Sequence, residues 1–328
     1  MSPAFTSKPA GSRLAGRMRV LPRAVSHRFM HLRPRERPAA PARILIAHSL
    51  LLGDTLMLTP LLAKLRERHP QARIVMTVRR ELMPLYTGRP YGVEPLLLDV
   101  RDVRTLDALF SFDGFDLAYV PGDNRHAWLA AAAGARWIVA HAGDRPAWKS
   151  WPVDELRPYP EAPASWADMT AMLAEGPAPR PYRPEDWPAP ANAPVAMPKG
   201  PYCVLHVGAG SPLRLWNRDR WLALAEILAG NGLQPVWSGG PGEEAEIEAV
   251  DPQRRFPSYA GAIDLPQLWH LIEGARVLVC PDTGIAHLGR LAGAPVVTLY
   301  GPGSPVLFGP GDVWRDAPGP NSTGEPGP

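Results

Sequence analysis

Five short stretches of this chain set glycine beside a carboxylate, hydroxyl, imidazole or guanidinium group. Gly53-Asp54-Thr55 is the first. His206 leads to Gly208 and Gly210, with Arg214 and Trp216 just beyond. Ser238 opens a run through Gly239, Gly240 and Gly242 to Glu243. Pro281-Asp282-Thr283-Gly284 precedes His287, and Gly301 to Ser304 closes the series. Glycine lets a backbone approach phosphate closely, and N–H groups at a following helix start attract anions. The pattern therefore points to a ligand carrying phosphate, with carboxylates near it that could move a proton.

Each group has two readings. Asp54 can cap a helix that begins at Thr55, or take a proton from an attacking hydroxyl. In the second role a helix N-terminus keeps it ionised and makes it a weaker base. Asp282 can serve as an N-cap, while Thr283, backbone N–H groups and His287 converge on one oxyanion. Arg214 is either a solvated charge or a bidentate partner for diphosphate. Glu243 is either a favourable first-turn acid or the acceptor of a ribose hydroxyl.

The elements that must hold these groups read as alternating strands and helices. Apolar runs predict strands over 43–48, 74–78, 96–98, 117–120 and 137–140. Further strands are expected over 202–206, 234–238, 277–280 and 295–300. Leu58, Leu61, Leu62 and Leu65 recur at helical spacing and predict a helix over 55–68. Other helices are expected over 127–133, 218–229, 243–250, 265–273 and 285–291. This βα rhythm implies parallel sheets, whose ligands bind beyond the carboxyl ends of the strands. Every glycine-bearing stretch above falls at such an end.

At 328 residues the chain exceeds one ordinary core, so two domains are expected. Hydrophobic residues at 45% and charged residues at 20% fit a globular protein and exclude a disordered one. The 41 prolines crowd the two ends and the middle, where irregular backbone is expected. Residues 1–40 read as a basic, disordered arm: Lys8 and eight arginines from Arg13 to Arg37 face the single acid Glu36. Such an arm could tether the protein to anionic lipid. Residues 41–175 form the expected first domain, 176–201 a Pro-rich linker, 202–312 the second domain and 313–328 a disordered tail. Cys203 and Cys280 sit in apolar strands and read as buried reduced thiols. Without an apolar run of about 20 residues or a secretory signal, the expected location is the cytoplasm, with peripheral contact at the inner face of the cell membrane.

The runs Gly53-Asp54-Thr55-Leu56-Met57-Leu58-Thr59-Pro60 and Pro281-Asp282-Thr283-Gly284-Ile285-Ala286-His287-Leu288 resemble glycosyltransferase family 9. The second run continues the likeness through Gly293-Ala294-Pro295 to Leu299-Tyr300-Gly301-Pro302. The best-known members are the ADP-heptose:lipopolysaccharide heptosyltransferases, and the resemblance spans about residues 41–312. It implies a GT-B fold, α/β, with two Rossmann-like βα domains whose parallel sheets face across a cleft. It implies an acceptor-binding N-terminal domain, a donor-binding C-terminal domain, and metal-independent inversion at the anomeric carbon. The family's catalytic base falls on Asp54. Its donor contacts fall on Thr283, Gly284 and His287, with Asp282, Glu243, Arg214, Gly208 and Gly240 around them, and its acceptor contacts on Thr55 and Thr59. Where those enzymes usually carry Lys before x-Trp-Pro, this chain has Arg214-Leu215-Trp216-Asn217. Related enzymes also continue beyond Gly311 to a last helix.

The resulting expectation is an inverting transferase that moves a heptose-like sugar from a nucleotide-diphospho-sugar, ADP-heptose foremost, to a lipid-linked saccharide of the lipopolysaccharide core or a related surface glycan. It calls for no cofactor and no metal. A nucleotide-sugar epimerase or hydrolase on the same fold, or a non-catalytic nucleotide-sugar-binding protein, are the competing readings. A dinucleotide-dependent dehydrogenase is disfavoured, because Leu50-Leu51-Leu52-Gly53 replaces the Gly-rich turn after the first strand. Nucleic acid is not an expected partner, since the basic excess lies outside any folded motif.

Overall fold

A computed structural model of the chain describes residues 12–30 and 36–314. In the first half, strands β1 (Arg43–Ile46), β2 (Arg73–Val78), β3 (Val93–Leu97), β4 (Phe115–Val120), β5 (Ala135–His141) and β6 (Glu155–Arg157) build a wholly parallel sheet in the order β3-β2-β1-β4-β5-β6. The helices there are α1 (Arg13–Met30), α2 (Leu52–Leu56), α3 (Thr59–Arg68), α4 (Val103–Phe110), α5 (His126–Ala132) and α6 (Trp166–Ala171). In the second half, β7 (Tyr202–His206), β8 (Gln234–Ser238), β9 (Leu278–Pro281) and β10 (Val296–Leu299) form a parallel sheet in the order β10-β9-β7-β8. Its helices are α7 (Arg218–Gly230), α8 (Glu244–Val250), α9 (Leu265–Glu273), α10 (Gly284–Leu291) and α11 (Pro305–Phe308).

The chain divides into two units. One holds the residues up to Leu50, Leu61–Glu161 and Thr170–Pro177; the other holds Leu51–Pro60, Ala162–Met169 and everything from Ala178 onward. Each has its own core. Leu45, Ala118, Val120, Ala130 and Ile138 are fully buried in the first. Cys203, Leu205, Trp221 and Trp237 centre the second. Cys203 and Cys280 are free, buried thiols, and burial raises their pKa values to about 11 and about 12.

The expected strands are present, and each expected helix has a counterpart. The helix expected over 55–68 is broken in two. A continuous helix needs an N–H at residue 60 to bond the Leu56 carbonyl, and Pro60 has none. The Thr59 hydroxyl donates to that carbonyl instead, at 2.7 Å. The short piece before the break, α2, belongs to the second unit and not to the first as the sequence suggested. It packs on α10.

The basic arm also differs. Residues 13–30 are helix α1, which lies on α5 and α4 of the first unit with Ala24 fully buried. Arg19 pairs with Asp107, Arg28 with Asp154 at 3.0 Å, and Arg37 with Glu175 at 2.6 Å. Three of the arginines expected to be free for lipid are therefore engaged by the first unit's own carboxylates. The remaining arm residues, 1–11 and 31–35, lie outside the described residues. The Pro-rich stretch expected as a linker carries little regular structure, yet from residue 178 it is packed on the second unit. Tyr182 and Trp187 are buried, and Tyr182 donates from its hydroxyl to the Leu291 carbonyl at 2.6 Å and from its amide to Val313 at 2.7 Å. Val313 and Trp314, assigned to the tail, are buried; residues 315–328 lie outside the described set. Among the described residues no helix is long and apolar enough to cross a membrane.

Candidate active site

In the second unit the chain runs from β7 outward to β8, then returns to place β9 on the other side of β7. The crevice of such a sheet lies where strand order reverses, here between the loops after β7 and β9. Both loops are short on side-chain bulk. A β-carbon on Gly208 would overlap the Glu243 carboxylate, 1.8 Å from Oε2. Glu243 therefore reaches from the loop after β8 to the loop after β7, and its Oε2 accepts the Gly240 amide at 2.6 Å. It stands at the start of α8 but makes no side-chain cap.

After β9 the chain turns through Asp282 into α10. The N-cap is Thr283, not Asp282: its hydroxyl accepts the Ile285 amide at 3.3 Å. Asp282 is buried, and its Oδ2 has no hydrogen-bond partner among the described residues. Arg214 arrives from the loop after β7, in a turn capped by Ser211. Its Nη1 donates to the Asp282 carbonyl at 3.1 Å and lies 3.8 Å from Oδ2, with the guanidinium over the Phe308 ring. Asn217 caps α7 through the Asp219 and Arg220 amides.

The α2 segment brings Asp54 to this same edge. Helix α2 starts at Leu52 with Leu51 in the cap position, so Asp54 lies inside the first turn and is not the helix cap. Burial raises its pKa; Arg214 opposes that rise, and Asp282 adds to it. Asp54 is thus a stronger base than a surface carboxylate, where the sequence implied a weaker one. Asp282 is raised by burial too, against the pull of Arg214 and Arg290. Two carboxylates and one guanidinium are electrostatically coupled here.

His287 follows on α10. Burial, with help from Arg290, lowers its pKa to about 3, so it is neutral at physiological pH. Arg290 Nη1 stands 3.3 Å from its Nδ1, and a guanidinium can only donate. Nδ1 is therefore the acceptor, which leaves the ring proton on Nε2. Its contribution is a neutral N–H donor and not a positive charge. Arg290 also donates to Thr298 at 3.1 Å. The sequence reading omitted Arg290, although its position three residues after His287 puts both on one helical face.

Thr55 and Thr59 do not fit acceptor contacts. They are 1% and 0% exposed, and the Thr59 hydroxyl is used at the helix break. In the first unit the strand order reverses between β1 and β4. There Ser49 Oγ lies 2.9 Å from His126 Nε2, and Lys149 bonds Asp144 at 2.9 Å. Trp151 stacks on Trp128 with 5.1 Å between ring centres, and Trp148 and Trp151 are exposed. The sequence reading did not single out these residues. Among the described residues no three His, Cys, Asp or Glu side chains converge as a metal-ligand set.

With this geometry in view, the model of glycosyltransferase family 9 (heptosyltransferase) matches residues 114–316, more than half of the chain. The chain belongs to that family. Lipopolysaccharide heptosyltransferase 1 of Salmonella typhimurium is 29% identical over 109 residues, 33% of this chain and 34% of that protein. The matched stretch thus spans about a third of that relative. Lipopolysaccharide heptosyltransferase 3 of Escherichia coli is 22% identical over 278 residues, covering 76% of this family 9 chain and 79% of the relative. Among solved structures, the E. coli ADP-heptose lipopolysaccharide heptosyltransferase II superimposes with a TM-score of 0.67 at 21% identity, covering 84% of this chain and 89% of that one. That likeness, with the two parallel sheets, identifies the fold as GT-B.

Proposed function

We propose that this family 9 chain is an inverting, metal-independent heptosyltransferase that transfers a heptose-like sugar from ADP-heptose to a lipid-linked saccharide of the lipopolysaccharide core. One observation carries the reading: Asp54, Asp282 and Arg214 are coupled at the carboxyl edge of the second unit's sheet, where α10 begins. Asp54 removes the proton from the acceptor hydroxyl. The freed oxygen attacks the anomeric carbon as the bond to the diphosphate breaks, and the electron pair leaves with the nucleoside diphosphate. A single displacement inverts the anomeric centre. Arg214, the Thr283 hydroxyl, the first amides of α10 and the His287 Nε2–H meet the departing charge. Glu243, between Gly208 and Gly240, accepts a ribose hydroxyl. The acceptor sugar is assigned to the first unit, at Ser49, His126 and the Trp148 and Trp151 rings. The work is cytoplasmic, on an acceptor held at the inner membrane face. Relatives named for heptosyl transfer to lipopolysaccharide support the substrate class.

The test is incubation of the purified chain with ADP-heptose and a core-oligosaccharide acceptor, with and without a metal chelator. Release of ADP, a product of inverted anomeric configuration by NMR, and no loss of rate with chelator are expected. Retention of configuration, or a rate abolished by chelation, overturns the mechanism. ADP release without any acceptor points to hydrolysis, and nucleotide binding without turnover points to a binding protein.

A further inference from the structure

Helix α1 carries two apolar faces. One is buried: Gly16 and Ala24 are covered, and Val20 packs on the first unit's core. A β-carbon on Gly16 would lie 2.2 Å from the Val100 carbonyl, so the helix is seated closely there. The other face is turned away from the protein. Leu14, Met18, Leu21 and Phe29, with the half-buried Val25 between them, follow one another at steps of three and four residues, the spacing of a single helical stripe. Leu14 is 68% exposed, Met18 66% and Phe29 59%. A core helix needs one apolar stripe, and the second has no partner among the described residues.

The charge on this helix says what covers the stripe. Its sequence holds five arginines and no acid. Arg19 and Arg28 are paired with Asp107 and Asp154. Arg17, beside the stripe, is exposed and has no carboxylate partner among the described residues, whereas Arg23 lies on the opposite side with its guanidinium over the Phe110 ring, 5.0 Å from its centre. We infer that α1 is an in-plane membrane helix: it beds Leu14, Met18, Leu21 and Phe29 at the acyl boundary of an anionic bilayer, with Arg17 on the lipid phosphates. Basic residues beside an apolar stripe of this kind are the pattern of an interfacial helix. Covering the stripe with a second copy of the chain brings arginine against arginine, a like-charge arrangement that costs binding energy. The inference stands on α1 alone and is independent of the transferase chemistry. It differs from a purely electrostatic tether in one respect that can be measured: apolar insertion persists at salt concentrations that screen charge.

The experiment is flotation of the full chain with vesicles of phosphatidylcholine alone and of phosphatidylcholine mixed with phosphatidylglycerol. It is run at low salt and at roughly 0.5 M, where screening shortens electrostatic reach to a few ångströms. Wild type is expected to float with the anionic vesicles at low salt and to keep a measurable fraction bound at high salt. The M18S/L21S/F29S variant is expected to lose at least about tenfold in partitioning and to bind nothing at high salt. R17E is expected to reduce the preference for anionic over neutral vesicles. Circular dichroism melting shows whether each variant remains folded, which is expected because every substituted side chain faces outward. If the serine variant, folded, floats as well as wild type, α1 is not a membrane helix. Wild type dimeric by light scattering and the serine variant monomeric overturns the inference in favour of a second copy on the stripe.

Discussion

Gly53 and Gly284 meet backbone to backbone: a β-carbon on Gly284 would stand 2.7 Å from the Gly53 nitrogen and 2.9 Å from the Leu52 Cγ. Neither glycine has a positive φ, so conformational freedom is not what their positions require. What they require is the absence of a side chain, because α2 and the start of α10 touch there. Asp54 is the next residue in that contact. The approach that brings the base to the donor edge is thus a property of two glycines far apart in sequence.

Gly284→Ala is therefore expected to push α2 off α10. Overpacking against backbone costs about 1–3 kcal/mol of stability. Turnover is expected to fall further than nucleotide affinity, since Asp54 moves while Arg214 and Thr283 remain. Gly53→Ala meets Gly284 Cα at 3.1 Å and is expected to be milder. Thermal melting together with kcat and nucleotide titration checks the order. Equal stability and rate in both variants would show that the contact can relax without consequence.

The second expectation concerns the base. Asp54→Asn keeps the shape and loses basicity, so kcat is expected to fall by roughly 10² or more with nucleotide affinity retained. The acid limb of the pH–rate profile reports Asp54, which must be ionised to act. Arg214 holds the pKa of Asp54 down, and Asp282 pushes it up. Removing the cation in Arg214→Gln is expected to move the acid limb to higher pH. Removing the charge in Asp282→Asn is expected to move it to lower pH. Opposite displacements identify the base; a limb that ignores both substitutions assigns it elsewhere.

Much of this site is legible in the sequence because it depends on local chemistry. Glycine-rich loops after apolar runs fix which ends of the strands bind, and Asp54, Arg214, Glu243, Asp282, Thr283 and His287 stand in those loops or just beyond. What escapes is set by packing between distant segments. Nothing in the composition of 51–60 tells that this piece leaves the first unit for the second, because that choice follows from the Gly53–Gly284 fit. The sign of the Asp54 shift escapes for the same reason: the sequence shows a helix N-terminus, while burial decides. Strand β6 has only three residues, two of them charged, and gives no periodic signal. The arm misleads through its arginines. Their number suggests a solvated tail, yet Ala24 and Val20 recur on the buried face of α1 and were available as a helical pattern.

Three buried histidines make a linked expectation for acid stability. His48 and His287 are held at a pKa of about 3 and His206 at about 4, in each case chiefly by burial. In the unfolded chain they titrate near 6.5. Between those values the unfolded state binds protons that the native state does not, so stability falls as pH drops from about 6.5 toward 4. At its steepest the slope approaches three protons, roughly 4 kcal/mol per pH unit. Asp54 and Asp282, whose pKa values are raised, act in the opposite sense near their own titration and reduce that slope. Denaturant midpoints measured across this window are expected to decline steadily. A flat profile down to pH 4 would mean that the native state takes up as many protons as the unfolded chain, so that burial does not keep these rings neutral.

The last expectation concerns removal of the N-terminal segment, which the sequence alone presents as dispensable. Deleting residues 1–30 takes away α1, and with it the cover over Ala127, Ala130 and Ala131 of α5 and their neighbours in the first core. It also takes Arg28 from Asp154, a pair with side-chain exposures of only 14% and 8%. Removing the Arg28 guanidinium takes away a charge-assisted hydrogen bond in a largely buried setting, which costs about 1.5–3 kcal/mol. Asp154 also accepts the Ile138 amide at 2.9 Å, so disturbance there reaches β5. The truncated chain is expected to melt well below the full chain, with the loss confined to the first unit. Nucleotide binding at Arg214 and Thr283, in the second unit, is expected to persist at temperatures where the first has unfolded. Arg28→Ala alone is expected to reproduce a large part of the destabilisation. Calorimetry of the full chain, the deletion and the point variant separates these cases: a deletion that melts with the wild type reduces α1 to a surface attachment and leaves its buried face without energetic weight.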